Sequence, residues 1–327
     1  MSDLRIGLVG ASRVATYAVI APSREVDGVV VTAVAAREPA RAAAYASEHG
    51  IATAYPDYTS LYADPDIDLV YIATPPAFHA EQALAAIEAG KPVLVEKPFA
   101  LSSSDARRVA DRAGALGISV FEAMHSPHHR LFRRLSALLD SGAIGALRHI
   151  EAVFDAPIDP GDPFRWQAGF GGGALMDLGI YPLTFVRRLG GEDFRVEAVD
   201  AVMRRDVDES FSADLVYPSG LTARLASSMV CPKPVLTLRI EGEAGTIEVR
   251  NPYVPQLGHL LRIETDTGSV EEIVDGPGSY AAQLAAVRVS LVDGAAFPYR
   301  PDDFIRSMEA IEAIRAQMPG WGDDDRS

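Results

Sequence analysis

Short β-branched runs alternate with alanine-rich helical stretches through residues 4–121 of this 327-residue chain. The strand-like runs lie at residues 4–9, 29–35, 69–73, 93–95 and 118–121. Gly50, Gly90 and Gly117 stand where three of the intervening helices should end, as glycine commonly does. Because parallel strands need helical crossovers, this alternation predicts a doubly wound parallel sheet with helices on both faces. Its ligands would bind beyond the carboxyl ends of the strands.

The pattern changes after about residue 125. A helix at 128–139 and a strand at 147–154 lead into a Pro/Gly-rich loop at 155–173 and a second helix at 174–189. Several strand-like runs joined by hairpin-like turns follow, and two helical stretches close the chain. We therefore predict two domains, an α/β domain over residues 1–123 and an α+β domain with a large, mostly antiparallel sheet over residues 124–327.

Composition excludes several classes of partner. A formal net charge of −15 argues against nucleic acid or an anionic membrane as the main partner. No apolar run approaches the roughly 20 residues that span a bilayer, and the N-terminus enters a strand pattern directly, which leaves no room for a signal peptide. The single cysteine, Cys231, excludes an internal disulfide and fits a reducing compartment. These features predict a cytoplasmic protein whose partners are small molecules.

A tight turn joins the first strand to the first helix. Its sequence runs Ile6-Gly-Leu-Val-Gly10-Ala-Ser12-Arg13-Val14-Ala15. This is the dinucleotide-binding fingerprint of a Rossmann domain, except that Ser12 replaces the second glycine and Ala15 the third. We expect the backbone N–H groups of Gly10, Ser12, Arg13 and Val14 to face a pyrophosphate at the helix N-terminus, with the Arg13 side chain assisting.

Two further strand ends suggest cofactor contacts. The second strand ends Ala36-Arg37, where an NAD-binding domain usually carries a carboxylate, so Arg37 predicts NADP in preference to NAD. The alternative is that Arg37 caps a solvated turn. The fourth strand ends Thr74-Pro75-Pro76, and this stiff exit would lie along the nicotinamide ribose. His79 either caps the following helix or touches the cofactor.

Lys97 stands out because the chain has only three lysines among 30 basic residues. It follows the apolar run 93–95 and Glu96, and precedes a proline. Arginine cannot lose its proton in a protein, whereas lysine can, so this position suggests acid–base chemistry. The alternative is a surface lysine after a strand. Glu96 either turns inward beside the cofactor or pairs with an arginine.

Asp177 and Tyr181 are four residues apart on the predicted 174–189 helix and so share a face. Glycines at 171–173 would let a ligand approach the backbone closely. If hydride moves between a nicotinamide and a carbinol carbon, the carbinol oxygen must exchange a proton, and Lys97 or Tyr181 could carry it. Which of the two does so stays open. The alternative is that Tyr181 packs in the core and Asp177 caps the helix.

Three other positions have competing interpretations. Arg165 and Trp166, in the loop before this helix, either contact the cofactor or the substrate, or pack the loop. His125, His128 and His129 suggest a metal, but Pro127 breaks their spacing and no cysteine or paired carboxylate joins them. We expect no metal.

The chain resembles the glucose–fructose oxidoreductase, inositol dehydrogenase and MocA-type family over nearly its whole length. The motifs that carry the resemblance are the Gly10–Ala15 turn, Thr74-Pro75-Pro76 with His79, Glu96-Lys97-Pro98, Glu122-Ala-Met124 and Gly171-Gly-Gly-Ala-Leu-Met-Asp177-Leu-Gly-Ile-Tyr181. Arg37 and Tyr181 are most similar to the branch of dimeric dihydrodiol dehydrogenase and NADP-linked sugar dehydrogenases. The stretch after Met124 departs from the aromatic-rich pattern of many relatives, which leaves the substrate open.

The resemblance implies a Rossmann domain followed by a C-terminal domain whose open sheet builds a homodimer or homotetramer. It implies Lys97 and Tyr181 as the catalytic pair, Asp177 as a substrate-orienting residue, and no metal. The leading hypothesis is an NADP-dependent oxidoreductase acting on a sugar, polyol or cyclic diol. The alternatives are a sensor that holds NADP(H) without net turnover, and an enzyme that uses bound NAD transiently for glycoside cleavage.

Overall fold

The structure, a computed structural model, describes residues 3–321 and divides into two compact units. The first unit comprises the residues up to His125 and Tyr280–Met308, and the second comprises Ser126–Ser279 and the residues from Glu309 onward. The sequence predicted that residues 280–308 belong with the second domain. They join the first unit because their apolar side chains complete its core: Leu284 and Val287 pack in the cluster formed around the first strand.

The first unit is built on a six-stranded sheet in the order β3-β2-β1-β4-β5-β6, with every neighbouring pair parallel. The strands are β1 Leu4–Val9, β2 Val29–Ala35, β3 Thr53–Tyr55, β4 Leu69–Ile72, β5 Val93–Val95 and β6 Val120–Glu122. The prediction of a doubly wound Rossmann sheet is confirmed. The order reverses between β1 and β4, and ligands of such sheets bind at this switch point.

Helices cover the two faces of this sheet, as its buried strands require. They are α1 Arg13–Ala15, α2 Ala21–Ser23, α3 Pro39–His49, α4 Tyr58–Ala63, α5 His79–Glu88 and α6 Ser103–Leu116. A π-helical turn, Thr16–Ile20, joins α1 to α2.

The second unit contains an eight-stranded sheet in the order β14-β13-β12-β11-β7-β10-β9-β8. The strands are β7 Leu147–Asp155, β8 Arg195–Arg204, β9 Val207–Val216, β10 Thr222–Ser228, β11 Val235–Gly242, β12 Gly245–Arg250, β13 Leu260–Thr265 and β14 Gly268–Glu272. Only β7 and β10 pair in parallel, so the predicted mostly antiparallel sheet is confirmed.

The remaining helices are α7 Arg130–Asp140, α8 Ile180–Gly190, α9 Ser279–Asp293 and α10 Asp303–Arg315. In the second unit, α8 packs against β7 and β10, over a sheet face made of Ile150, Ala152, Leu225 and similar buried side chains. Within residues 3–321, no helix has the length and apolarity needed to cross a bilayer.

Candidate functional site

The turn after β1 passes close to the backbone at the end of β4. Gly10 has φ +102°, and a Cβ there would lie 3.0 Å from the carbonyl oxygen of Ala73, so a side chain would be strained at this position. Ser12 adopts ordinary extended geometry and its Oγ accepts a hydrogen bond from the N–H of Ala15 at 3.3 Å. Serine replaces the second fingerprint glycine without strain because this backbone conformation is open to any residue, and its side chain caps α1.

Helix α3 braces the outer side of this turn. The Tyr45 hydroxyl donates to the carbonyl oxygen of Ser12 at 2.9 Å, and the Arg41 guanidinium donates to that of Ala11 at 2.8 Å. Arg41 was missed by the sequence interpretation, although its position four residues after Arg37 at the start of a helix was a usable signal. The Arg37 side chain is 89% exposed and lies 3.6 Å from Glu38. Arg13 is also exposed.

His79 lies in the core between two of the predicted cofactor loops. Its Nδ1 is 2.9 Å from the carbonyl oxygen of Pro98, and its Nε2 is 2.7 Å from that of Thr74. Burial is the main cause that lowers the pKa of His79 to about 4. A neutral imidazole has one N–H, so it donates to one of these carbonyls at a time. The ring thereby ties the Thr74-Pro75 exit to the Lys97-Pro98 turn.

Glu96 and Lys97 follow β5 directly. Glu96 is buried, with Oε1 accepting from the Tyr71 hydroxyl at 2.5 Å and Oε2 accepting from the backbone N–H of Lys97 at 3.1 Å. Burial, together with the negative charge of Glu96, raises the pKa of Tyr71 well above its usual value. Lys97 is half-buried, and its peptide bond to Pro98 is cis. The buried Glu96 carboxylate, bonded to Tyr71 and to the Lys97 N–H, thus holds the turn that carries Lys97.

Asp177 and Tyr181 lie in the second unit, on consecutive helical segments. The segment Leu175–Gly179 is a π-helical turn, and α8 continues from Ile180. Such turns are rare and frequently mark functional sites. Tyr181 is 7% exposed and packs beside the rings of Phe154 and Tyr253, at centroid distances of 5.3 and 6.2 Å.

The Asp177 carboxylate is held by an arginine from the preceding loop. The Arg165 Nε lies 2.6 Å from Asp177 Oδ2, and a second nitrogen of Arg165 lies 2.8 Å from Asp162. The negative charge of Asp177 is the largest cause that raises the pKa of Arg165 above its usual value. Asp177 is therefore one side of an ion pair that holds its carboxylate in place.

Trp166 belongs to the same loop. Its Nε1 donates to the carbonyl oxygen of Asp159 at 2.7 Å, and the Arg204 guanidinium lies 4.4 Å from the centroid of its ring. Both Arg165 and Trp166 thus have partners within the second unit. Their contribution to cofactor binding stays a prediction.

The three histidines considered as metal ligands have other partners or are buried. His125 belongs to the first unit and stacks on Tyr280 with ring centroids 3.8 Å apart. His128 and His129 are buried in the second unit, and burial lowers their pKa values to about 3 and about 4. His129 Nδ1 accepts from the N–H of Leu131 at 3.1 Å and so caps α7. Over residues 3–321, no three His, Cys, Asp or Glu side chains are grouped to hold a metal.

Comparison with known families gives two matches along the chain. Residues 4–124 match the model of an oxidoreductase family with an NAD-binding Rossmann fold, and residues 132–248 match the GFO/IDH/MocA C-terminal domain.

Individual proteins of known activity are similar over most of the chain. A dTDP-3,4-didehydro-2,6-dideoxy-α-D-glucose 3-reductase of Streptomyces violaceoruber is 35% identical over 86% of this chain and 84% of its own. A trans-1,2-dihydrobenzene-1,2-diol dehydrogenase of Xenopus laevis is 34% identical over 74% of each. The crystal structure of the 3-ketoreductase KijD10 from Actinomadura kijaniata, in complex with NADP and TDP-benzene, superposes with a TM-score of 0.90 at 26% identity, covering 97% of this chain and 98% of that one.

Proposed function

The chain belongs to the GFO/IDH/MocA oxidoreductase family, and we propose that it transfers hydride between NADP and a carbinol or carbonyl carbon of a sugar, polyol or cyclic diol. The substrate class follows the two similar enzymes with curated activities, which act on a dTDP-linked keto sugar and on a cyclic diol. Both substrates carry an oxygen on the reacting ring carbon and a second oxygen on the neighbouring carbon. A proton carrier for the first oxygen and a carboxylate that accepts a hydrogen bond from the second would suit them.

The first unit fits a dinucleotide. Gly10, with its positive φ, lets the turn pass directly against the backbone of Ala73, and the buried Thr74 Oγ1 beside it has no hydrogen-bond partner within residues 3–321. Buried hydroxyls are almost always hydrogen-bonded, so one without a protein partner indicates a polar ligand. Gly10, Ser12, Arg13 and Val14 would hold the pyrophosphate, and Thr74 and Pro75 the nicotinamide side.

The residues around the tip of β2 support NADP. The strand ends in Ala35 and is followed by Ala36 and Arg37, so no carboxylate stands where NAD enzymes bind the ribose 2′-hydroxyl. The Arg37 side chain is exposed just before α3, and Arg41 lies in the first turn of that helix. Two guanidinium groups at this edge suit a 2′-phosphate, which guanidinium binds well. The NADP complex of KijD10 agrees with this choice.

One observation carries the assignment of the catalytic pair. Structures of KijD10 include Lys→Ala, Lys→Glu and Tyr→Phe variants, and the lysine and tyrosine altered there are separated by 84 residues, as Lys97 and Tyr181 are. In a fold superposing over 97% of the chain, equal separation supports equivalent positions. Lys97 and Tyr181 are therefore the residues we assign to proton transfer.

The proposed mechanism divides the work between the two units. When bound, the cofactor would accept hydride as NADP⁺ or supply it as NADPH, at the nicotinamide ring. Lys97, on its fixed turn after β5, and Tyr181, on α8, exchange the proton of the reacting oxygen with solvent. Asp177 accepts a hydrogen bond from a neighbouring substrate hydroxyl, in an orientation set by Arg165. Glu96 supports the Lys97 turn through its backbone N–H.

A screen for turnover tests the proposal. Purified protein is mixed with NADP or NAD and a panel of free sugars, inositols, cyclic diols and dTDP-linked sugars, and the nicotinamide absorbance is followed in both directions. The proposal expects turnover with at least one panel member and a higher kcat/KM with NADP than with NAD. Tight NADPH binding with no turnover in any combination would favour a sensor instead.

The second sheet suggests how copies of the chain assemble. One face carries a row of residues that are neighbours in register across seven strands and alternate in charge: Asp214, Arg224, Glu151, Arg239, Glu248, Arg262 and Glu271. The three arginines pair with carboxylates and their side chains remain between 40% and 45% exposed. Because an alternating row is complementary to a second copy of itself, this face supports a homodimer, which could pair further into a tetramer.

The compartment we propose is the cytoplasm. The single cysteine, Cys231, is a half-buried free thiol, which suits a reducing environment.

A further inference from the structure

The tip of the β8–β9 hairpin, residues 204–208, makes three contacts along residues 165–175, which comprise the end of the Pro/Gly-rich loop and the first residue of the π-helical turn and are called the glycine-rich loop below. The Arg204 guanidinium lies over the Trp166 ring. Asp206 Oδ2 accepts a hydrogen bond from the N–H of Ala168 at 3.0 Å. Asp208 Oδ2 accepts one from the N–H of Leu175 at 2.7 Å, at the start of the π-helical turn. One short hairpin therefore holds the middle and the end of the loop that precedes Asp177.

Asp208 makes the closest of these contacts and is fully buried. Gly173, with φ +106°, lies against it so tightly that a Cβ would be 2.2 Å from Asp208 Oδ1. That oxygen is buried without a hydrogen-bond partner in the part of the chain that the structure describes. Burying a carboxylate with an unpaired oxygen is costly, and such costs persist mainly where function requires them.

Backbone hydrogen bonds connect the residues that Asp208 contacts to Asp177. The N–H of Gly173 donates to the carbonyl oxygen of Arg165 at 3.0 Å, and the N–H of Asp177 donates to the carbonyl oxygen of Gly173 at 3.0 Å. The side chains of Arg165 and Asp177 also join the two ends of this segment through their 2.6 Å ion pair. Asp208 contacts Leu175 and Gly173, which lie between those two ends.

We propose that the β8–β9 tip is a positioning clamp: Arg204, Asp206 and Asp208 hold the glycine-rich loop so that the Arg165–Asp177 pair meets the substrate in one orientation. The three residues act through Asp177. The inference thus rests on the role proposed above for Asp177. It expects the clamp to govern substrate affinity and to leave cofactor binding by the first unit unchanged.

Alanine variants of the clamp test this with steady-state kinetics and NADPH titration. Asp208→Ala should raise KM about tenfold, the effect of losing roughly 1.4 kcal/mol of binding, while kcat falls less and the NADPH Kd is unchanged. Asp208→Asn, which keeps an oxygen acceptor for Leu175, should recover most of the loss. Arg205→Asn is the matched control, because it removes a charge from the same tip at a left-handed position that asparagine tolerates.

A double-mutant cycle separates positioning from general stability. If Asp208 acts through Asp177, Asp208→Ala should change KM by less than about twofold in an Asp177→Asn background, since interacting residues are non-additive. Equal effects in both backgrounds would overturn the proposal. Asp206 is exposed, so Asp206→Ala should fold and can replace Asp208→Ala in the same cycle if that variant is unstable.

Hydrogen exchange tests the clamp without relying on turnover. Asp206→Ala and Asp208→Ala should raise amide exchange in residues 165–177 and leave exchange in the first unit unchanged. Unchanged exchange in that segment would overturn the clamp even in an active enzyme. A wild-type protein that turns over no panel substrate would contradict the proposed function, and the exchange data would still decide whether the clamp exists.

Discussion

Arg165 binds Asp177 across a gap of 12 residues, with its Nε 2.6 Å from Asp177 Oδ2. The carboxylate expected to orient the substrate is thereby held by the loop that precedes its own helical segment. Arg165 also holds Asp162, so the guanidinium joins two carboxylates of the second unit. This arrangement fixes the direction in which Asp177 can accept a hydrogen bond.

Loss of this arginine should weaken substrate binding more than it slows the chemical step. We expect Arg165→Gln to raise KM about tenfold, since a hydrogen bond to a charged group contributes roughly 1.5–3 kcal/mol and solvent reduces that value at a partly exposed pair. Steady-state kinetics with NADPH in excess would measure it. A fall in kcat with KM unchanged would contradict a role in substrate orientation.

Arg37 and Arg41 should set the preference for the phosphorylated cofactor. The Arg37→Ala, Arg41→Ala double variant is expected to lower the NADP-to-NAD ratio of kcat/KM by at least about tenfold, because it removes two guanidinium groups that can pair with a phosphate. Arg24→Ala, which removes another arginine of the same unit, is the control. An unchanged ratio in the double variant would show that the 2′-phosphate is bound elsewhere.

Buried histidines should make the fold sensitive to acid. His79 has its pKa lowered to about 4, so it is neutral in the folded protein at a pH where the unfolded chain, with a pKa near 6.5, is protonated. Its contribution to stability is complete above pH 6.5 and falls by roughly 1.4 kcal/mol per pH unit between 6.5 and about 4. His128 and His129 act in the same direction.

Urea unfolding at a series of pH values would measure this slope. Asp208 partly offsets this loss of stability, because a carboxyl whose pKa is raised to about 6 stabilises the fold as the pH falls from 6 towards 4. His79→Gln should therefore be less stable than the wild type at pH 7 yet lose less stability on acidification. Parallel curves for the two proteins would contradict a neutral, buried His79.

Charge reversal in the alternating row tests the proposed homodimer. Arg239 lies at the centre of the row, with carboxylates on both neighbouring strands. If the row forms the interface, light scattering should show a dimer for the wild type that high salt weakens by screening, and a shift towards monomer for Arg239→Glu. Arg148→Glu, which alters an exposed arginine of β7 outside the row, is the control. A dimer that persists in Arg239→Glu would place the interface on another surface.

The sequence was most informative where hydrophobic pattern and turn chemistry agreed. The bounds of β1, β2 and β5 follow directly from their apolar runs, and Gly50 and Gly117 end α3 and α6 in the left-handed conformation expected of them. The strand β3 was missed because its three residues are mostly exposed and form no pattern.

Features that depend on distant contacts could not be predicted. A hydrophobic pattern does not show whether a helix is hydrogen-bonded between residues four or five apart. The π-helical turn around Asp177 was therefore expected to be ordinary α-helix. Asp208 is 33 residues from Leu175, and nothing local in the sequence of β9 indicates that its carboxylate caps that turn. The attachment of residues 280–308 to the first unit likewise depends on packing with strands far away in sequence.

The most direct measurement of the central claim is the turnover of Lys97→Arg beside its affinity for NADPH. Arginine keeps the positive charge but cannot release a proton, so the proposed proton transfer predicts a loss of at least about a hundredfold in kcat with the NADPH Kd unchanged. Full activity in Lys97→Arg would contradict the account.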